Sequence, residues 1–354
     1  MNPKIKDLII STFLSLLFGI VLSGLLLLFL DKNPLTSFGK LFAFLFRDAY
    51  TFADIFVKAT PLIFTALAFA FTFKAGLFNI GAQGQFYMGA IAALSVSHLI
   101  GGVIPGPIAL IIIFLASFFA GGIWGALVGY AKAKFKANDF LVSMMSVYIA
   151  LAFMNYMLRT VLIESKHEYP QSDPILEDVF IPIFLNGTRL HVGFLLAVIV
   201  AVLCWVFLYK TTAGYRIRVV GMNPIAAKYA GIGASRVYIL AFLISGSLAG
   251  LAGFTEVNGV QHMLVQEFNV TIGAEGIGIA ILANANPIGI IFGAILFGAL
   301  KVGGSILGQT SGIPSSIIKL MEGFVMLFVI FSYYLRYKLE LRREITKLKN
   351  EAPV

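Results

Sequence analysis

Long apolar runs alternate with short polar connections along the whole chain. About 20 consecutive apolar residues span the hydrocarbon core of a bilayer, so each run predicts a membrane helix or part of one. The run at 8–30 follows Lys4 and Lys6 and exceeds the apolar core of a secretory signal, so we expect a retained first helix. The ten apolar windows are 8–30, 52–73, 84–100, 104–131, 140–161, 190–209, 237–258, 272–284, 287–307 and 314–335.

Two of these windows are unusual for complete spans. The 272–284 window is short, and a glycine-rich break precedes the 84–100 window. Either segment is therefore a candidate half-helix, which ends inside the membrane.

Composition supports a membrane protein. Of 354 residues, 59% are hydrophobic and 12% are charged, whereas soluble chains carry about 25% charged residues. We predict an all-α polytopic protein in which residues 1–354 form a single transmembrane domain. Cys204 is the only cysteine, which excludes intrachain disulfides and a multi-cysteine metal site.

The distribution of charge predicts the orientation, because lysine and arginine concentrate in cytoplasmic loops. The connection 162–189 is rich in acids and is expected outside, and ten spans place both termini inside. The segments expected in the cytoplasm are the loop with Lys132, Lys134 and Lys136, the loop 210–236 and the basic tail 336–354.

The sequence lacks the motifs of an enzyme. It contains no phosphate-binding G-x-x-x-x-G-K-[ST] loop and no H-E-x-x-H zinc motif, and its four histidines lie in different segments. We predict no catalytic residues, no metal and no cofactor, and a membrane-embedded enzyme is disfavoured. Energy for any uphill transport must then come from an ion gradient or from a separate subunit.

The stretch 73–85 is the first informative segment. It holds three glycines and the amides Asn79, Gln83 and Gln85 between apolar helices. Freed backbone groups are costly in hydrocarbon unless they face protein or a water-filled cavity, so we predict a broken helix beside a transport path. The alternative is an ordinary interfacial loop with an amide cap.

The second informative segment is the basic loop 210–236. Asn223 before Pro224 predicts a helix start, and Gly231 predicts its end. A short cytoplasmic helix with small residues suits a groove in a partner protein. The alternative is an amphipathic helix on lipid headgroups. The residues assigned to coupling with a partner are Asn223, Pro224, Ala226, Ala227, Lys228 and Gly231.

Ionisable residues inside apolar windows are a further signal, because a charge at the bilayer centre costs several kcal/mol. Glu256 and Glu275 have small or polar neighbours, with Asn258 near the first, and we assign all three to the substrate path with the amides above. An ion-coupled secondary transporter would instead use Glu256, Glu275 or Lys301 as a relay.

Together the two informative segments resemble the permeases of bacterial ATP-binding-cassette (ABC) importers in the branched-chain amino acid and ribose superfamily, and within it the nucleoside-type subgroup. Where that subgroup commonly has Asn-Glu and then Thr, this chain has Asn138-Asp139 and Ser143, which keep the chemistry. The matching segments are 74–85, 212–215, 218–221, 223–232, 245–253, 273–289, 297–300 and 170–172.

The resemblance implies a type II-like importer permease in the bacterial cytoplasmic membrane that forms half of a translocation pore. It implies a cytoplasmic ABC ATPase, a second permease that is a related chain or a second copy, and an extracytoplasmic binding lipoprotein. Nucleosides are the implied cargo, with sugars of the ribose or galactose type as the alternative.

Overall fold

The chain folds into helices joined by connections that are short except for the one at 160–192. The computed structural model describes residues 17–29, 31–314 and 316–328, with positions 331 and 338. The helices are α1 (Leu17–Phe29), α2 (Pro34–Leu45), α3 (Ala49–Lys74), α4 (Ala82–Ile100), α5 (Gly106–Phe135), α6 (Asp139–Arg159), α7 (Gly193–Lys210), α8 (Thr212–Met222), α9 (Pro224–Tyr229), α10 (Ala234–Glu256), α11 (Ile272–Leu282), α12 (Pro287–Ser311) and α13 (316–328).

The predicted all-α, polytopic fold is confirmed. Within the described residues, six helices are long and apolar enough to cross a membrane, or seven if α1 and α2 count as one span bent by 118°. The six are α3, α5, α6, α7, α10 with its extension to Gln261, and α12. The count of ten spans stays a prediction, and residues 8–16 and most of the tail 336–354 lie outside the described residues.

Two compact units make up the chain. One comprises residues 1–51 and 300–354, and the other comprises residues 52–299. In the first unit, Ile318 packs close to Gly304 and Gly308 of α12. The second unit contains every residue that the sequence assigns to a site. The single transmembrane domain stays a prediction.

Helix α3 lies at the centre of the second unit. Of its most apolar 18-residue window, 89% is buried, against 22% for α6. The exposed apolar side chains of α5, α6 and α7 face outward, as expected for surfaces in contact with lipid tails. The interior of the unit is thus built around α3, α4 and α10.

Glycines bring α5 and α10 into backbone contact. A Cβ on Gly121 would lie 2.8 Å from the Cα of Gly250, and one on Gly125 would lie 3.0 Å from the Cα of Gly246. Gly89 of α4 packs against Gly250 from another side. Only residues without side chains permit this approach, so these glycines serve close helix packing.

Helix α11 is too short to cross a bilayer. Its 11 residues extend for about 16 Å, roughly half of a 30 Å hydrocarbon core. The chain reaches it from the end of α10 through a π-helical turn, Val257–Gln261, and the connection 262–271. The candidate half-helix at 272–284 therefore has the length expected of one.

A second connection, residues 160–192, packs against the one that leads to α11. The N–H of Ser172 donates to the carbonyl of Leu264 (2.9 Å), and the N–H of Ile181 donates to that of Asn258 (2.8 Å). These backbone bonds fasten the predicted outer connections to each other.

We expect Gly250→Leu to prevent stable packing of α5 on α10, because a leucine side chain has no room between the two backbones. Overpacking costs about 1–3 kcal/mol or more, so the melting temperature of the purified protein in detergent should fall by several degrees or the protein should aggregate. Gly323→Leu is the control, because no atom lies within 4 Å of a Cβ at Gly323. Equal melting temperatures for the two variants would contradict the packing.

Candidate functional site

The connection between α3 and α4 is a break held by side chains of α6. Its backbone turns at Gly76, which has a φ of +73°. The N–H of Phe78 donates to a carboxylate oxygen of Asp139 (2.8 Å), and the N–H of Ile80 donates to the hydroxyl of Ser143 (3.2 Å). Lys132 of α5 forms an ion pair with Asp139 at 2.8 Å. The helix ends here as predicted, and the N–H groups of Phe78 and Ile80 are satisfied within the protein; the broken helix beside a transport path stays a prediction.

Asn79 and Gln85 meet inside the bundle, where both side chains are fully buried. The Asn79 amide donates to Oε1 of Gln85 (3.1 Å) and to the hydroxyl of Ser245 on α10 (2.8 Å). Its Oδ1 accepts from the N–H of Gly81 (2.8 Å). We call Asn79, Gln85 and Ser245 the amide cluster. The cluster is thus buried within the protein, and both the broken helix beside a transport path and the interfacial loop with an amide cap stay predictions.

Gln83 turns away from this cluster toward α11. Its amide donates to the carbonyl of Asn269 (2.9 Å), and its Oε1 accepts from the N–H of Gly273 in the first turn of α11 (2.6 Å). The Asn269 side chain in turn donates to Glu256 at the end of α10 (2.7 Å). We call Gln83, Asn269 and Glu256 the latch, because they join α4, α10 and the start of α11.

Glu275 lies one turn into α11, next to the latch. Its Oε1 accepts from the hydroxyl of Thr271 (2.8 Å), and 8% of the residue is exposed. A carboxylate in the first turn of a helix is favoured by the helix dipole. The structure thus gathers three predicted path residues, Gln83, Glu256 and Glu275, around the start of the half-helix.

Asn258 lies apart from them in the π-helical turn. Its amide donates to the hydroxyl of Ser97 (2.9 Å) and to the carbonyl of Val179 (3.0 Å). It therefore fastens the connection 160–192 to α4. The structure does not bring Asn258 together with the other predicted path residues.

The sequence analysis did not assign three of the polar partners to the site, namely Ser245, Asn269 and Asp139. Ser245 and Asn269 stand 166 and 186 positions from the amides they bind, so no local pattern links them. Asp139 carried a signal, since Asn138-Asp139 and Ser143 preserve the chemistry of the subgroup at positions that hold the break.

The segment α8–α9 forms the predicted short helix. The Asn223 side chain accepts from the N–H groups of Ile225 (2.9 Å) and Ala226 (3.0 Å), Pro224 occupies the first turn, and Gly231 has a φ of +75°. The predicted start and end of this helix are confirmed.

One residue of α9 that the sequence assigns to coupling with a partner, Ala227, does not face outward. Its side chain is fully buried against the permease's own chain and packs α9 onto it. The outward surface consists of Ala226, Lys228 and Gly231 together with large apolar side chains. Those apolar side chains are Met222 (81% exposed), Ile225 (69%) and Tyr229 (90%).

These features define a class of protein. A bundle of apolar helices encloses a buried polar break and a half-helix, and its basic side presents a short helix with exposed apolar side chains. These features are typical of a multi-pass membrane permease.

Comparison with known proteins identifies the family. The family of branched-chain amino acid transport system permease components matches residues 51–330, and the chain belongs to it. Among its relatives is the guanosine ABC transporter permease protein NupP of Bacillus subtilis, 32% identical across 92% of this chain and 93% of its own length.

Two further relatives show the range of named cargo. The glucose ABC transporter permease protein TsgB13 of Haloferax volcanii is 30% identical, with 96% of this chain and 91% of the relative covered. The nucleoside ABC transporter permease protein NupB of Lactococcus lactis is 29% identical, with 99% and 100% covered. The predicted family is confirmed, and the chain is a transport subunit of the ABC type.

Proposed function

We propose that this chain forms one half of the pore of an ATP-driven nucleoside importer in the bacterial cytoplasmic membrane, with both termini in the cytoplasm. The observation that carries the proposal is the latch, in which the buried side chains of Gln83 and Glu256 meet the half-buried Asn269 at the start of the half-helix. Relatives named for guanosine and nucleosides support the choice of cargo.

The chemistry of the latch suits a neutral, hydroxyl-rich solute. An amide offers a donor and an acceptor together, and an ionised carboxylate accepts from hydroxyl groups. Ribose hydroxyls and base edges can exchange for the bonds that now join Gln83, Asn269 and Glu256. Asn79, Gln85 and Glu275 are the adjoining polar groups, and Asn258 holds the outer end of the path.

A sugar is the second candidate cargo, favoured by the relative named for glucose. Both cargoes present hydroxyl groups to the same polar side chains. Selection between them is assigned to the extracytoplasmic binding lipoprotein, which delivers the solute. The second half of the pore is a related permease chain or a second copy of this one.

Coupling to ATP is assigned to α9. We propose that a cytoplasmic ABC ATPase receives the exposed side of this helix and hydrolyses the ATP, so that this chain performs no covalent chemistry. The large apolar side chains exposed beside Lys228 fit a protein groove. Ala227 fixes the helix to the permease, and Asn223 and Pro224 define its start.

Reconstitution tests the source of energy. Proteoliposomes with this chain, its partner permease, the ATPase and the binding protein should accumulate nucleoside when ATP is inside with the ATPase, and ionophores should not reduce the rate. The complex with Glu256→Gln should take up nucleoside at a rate similar to that of the wild type, because the glutamine side-chain oxygen still accepts from Asn269. Concentrative uptake by the isolated chain under a proton or sodium gradient would instead establish a secondary transporter.

The path assignment predicts that Gln83→Leu slows uptake at least tenfold. Leucine removes both bonds to the start of α11 and leaves polar groups unsatisfied, each at about 1–3 kcal/mol. The assay is the initial uptake rate at saturating loaded binding protein, whose own affinity for nucleoside should be unchanged. Gln309→Leu is the control, since Gln309 is exposed on α12. Wild-type uptake by Gln83→Leu would remove the latch from the path.

The docking assignment predicts that Tyr229→Glu and Ile225→Glu weaken ATPase binding. Losing one central apolar contact costs about 2 kcal/mol, roughly 30-fold in affinity. Co-purification of the ATPase with the permease measures this loss. Val103→Glu is the control, because Val103 is 75% exposed in a connection expected on the outer side. Undiminished co-purification of both α9 variants would place the ATPase elsewhere.

A further inference from the structure

The segment α8–α9, which we assign to coupling with the ATPase, touches the α3–α4 break through a backbone contact at Gly221. Gly221, the penultimate residue of α8, packs against the end of α3 and the turn after it. A Cβ on Gly221 would collide with the carbonyl oxygen of Lys74 and would lie 2.9 Å from the backbone nitrogen of Gly76. A Cβ on Gly76 would lie 3.1 Å from the Cα of Gly221.

Both positions of this contact require glycine. Gly76 has a φ of +73°, a conformation that residues with a side chain rarely adopt. Gly221 lies in a helix, where alanine is intrinsically preferred, so the close approach explains why a glycine stands there. With no side chain between them, the two backbones leave no flexible group to absorb a displacement.

On one side of the contact, α8 is continuous with the docking helix. Asn223 ends α8 and caps α9, so no free linker separates the two helices. From its middle, α8 is fastened to α7, where the Arg218 guanidinium donates to the carbonyl of Leu208 (3.1 Å). Movement of α9 therefore reaches Gly221 through a short, hydrogen-bonded segment.

On the other side, the break is joined to the polar interior. Three residues after Gly76, Asn79 enters the amide cluster with Gln85 and Ser245. At the end of α3, the Lys74 ammonium donates to the carbonyl of Asn284 (3.1 Å), just after the end of α11. The half-helix is thus held at its start by Gln83 and at its end by Lys74.

The backbone after α11 is itself strained. Asn284 and Ala285 have φ values of +53° and +50°, and alanine is costly in this region. Glu267 and Asn269, before α11, also have positive φ values. Strained positions therefore flank the half-helix at both ends, where it is tied to the break and to the latch.

We propose that the contact between Gly221 and Gly76 transmits movement of the docked helix to the half-helix α11. The two glycines are positioning residues that do not touch cargo. Displacement of α8 shifts the turn at Gly76, and the break carries the shift through Lys74 to the end of α11 and through Asn79 to the amide cluster. This inference rests on the proposed function.

The decisive variant is Gly221→Ala in the reconstituted complex with its partner permease, ATPase and binding protein. The ATPase should still co-purify, and basal ATP hydrolysis should stay within about twofold of wild type. Stimulation of hydrolysis by loaded binding protein, and nucleoside uptake, should each fall at least tenfold. Gly39→Ala is the control for a helical glycine, because no atom lies within 4 Å of a Cβ there.

A second variant keeps the proposal testable if Gly221→Ala does not fold. Asparagine tolerates positive φ better than other residues with side chains, so Gly76→Asn keeps the turn while its Cβ presses on Gly221. The ratio of stimulated to basal hydrolysis should fall several-fold, with an unchanged melting temperature.

The outcomes separate the two hypotheses. If the wild-type complex takes up no nucleoside with ATP, the proposed function is wrong. If the wild-type complex transports and either glycine variant keeps a wild-type ratio and uptake rate, only the transmission contact is wrong. Loss of ATPase co-purification in Gly221→Ala would also overturn it, since the contact would then serve docking.

Discussion

Backbone groups that leave a helix inside a bilayer must find partners within the protein, because hydrocarbon offers none. In this chain the α3–α4 break has such partners within the protein. Asp139 and Ser143 of α6 receive two of its N–H groups, and Asn79 receives a third. Lys132 balances the charge that Asp139 brings. The break is possible only where α5, α6 and α10 converge on it.

This constraint links the permease's structure to its function. Asn79, which accepts from the break, also donates to Gln85 on α4, and Gln83 of the same helix holds the first turn of α11. The side chains of Asn79, Gln83 and Glu256 find hydrogen-bond partners within the protein, whereas Nε2 of Gln85 has none among the described residues. These hydrogen bonds can be exchanged for others, because each joins two neutral groups or one neutral group and one carboxylate.

Much of the architecture could be predicted from local sequence. Apolar windows located the helices, because burial in lipid requires long apolar runs, and Asn223-Pro224 with Gly231 located α9. The partners of the polar residues could not be predicted. Ser245 meets Asn79, and Asn269 meets Gln83, only through tertiary packing. The inward orientation of Ala227 likewise depends on the surface on which α9 packs. The sequence of α9 alone does not show which of its alanines faces that surface.

The glycine contact between α5 and α10 has a consequence for synthesis. Helix α5 ends at Phe135 and α10 begins at Ala234, so roughly 100 residues must be translated before the two can meet, which takes on the order of 5–20 s at usual rates. During that interval α5 stands in the membrane with a bare groove of glycines. The groove stays without its helix partner until α10 is inserted, so the order of translation makes α10 the helix that completes this contact.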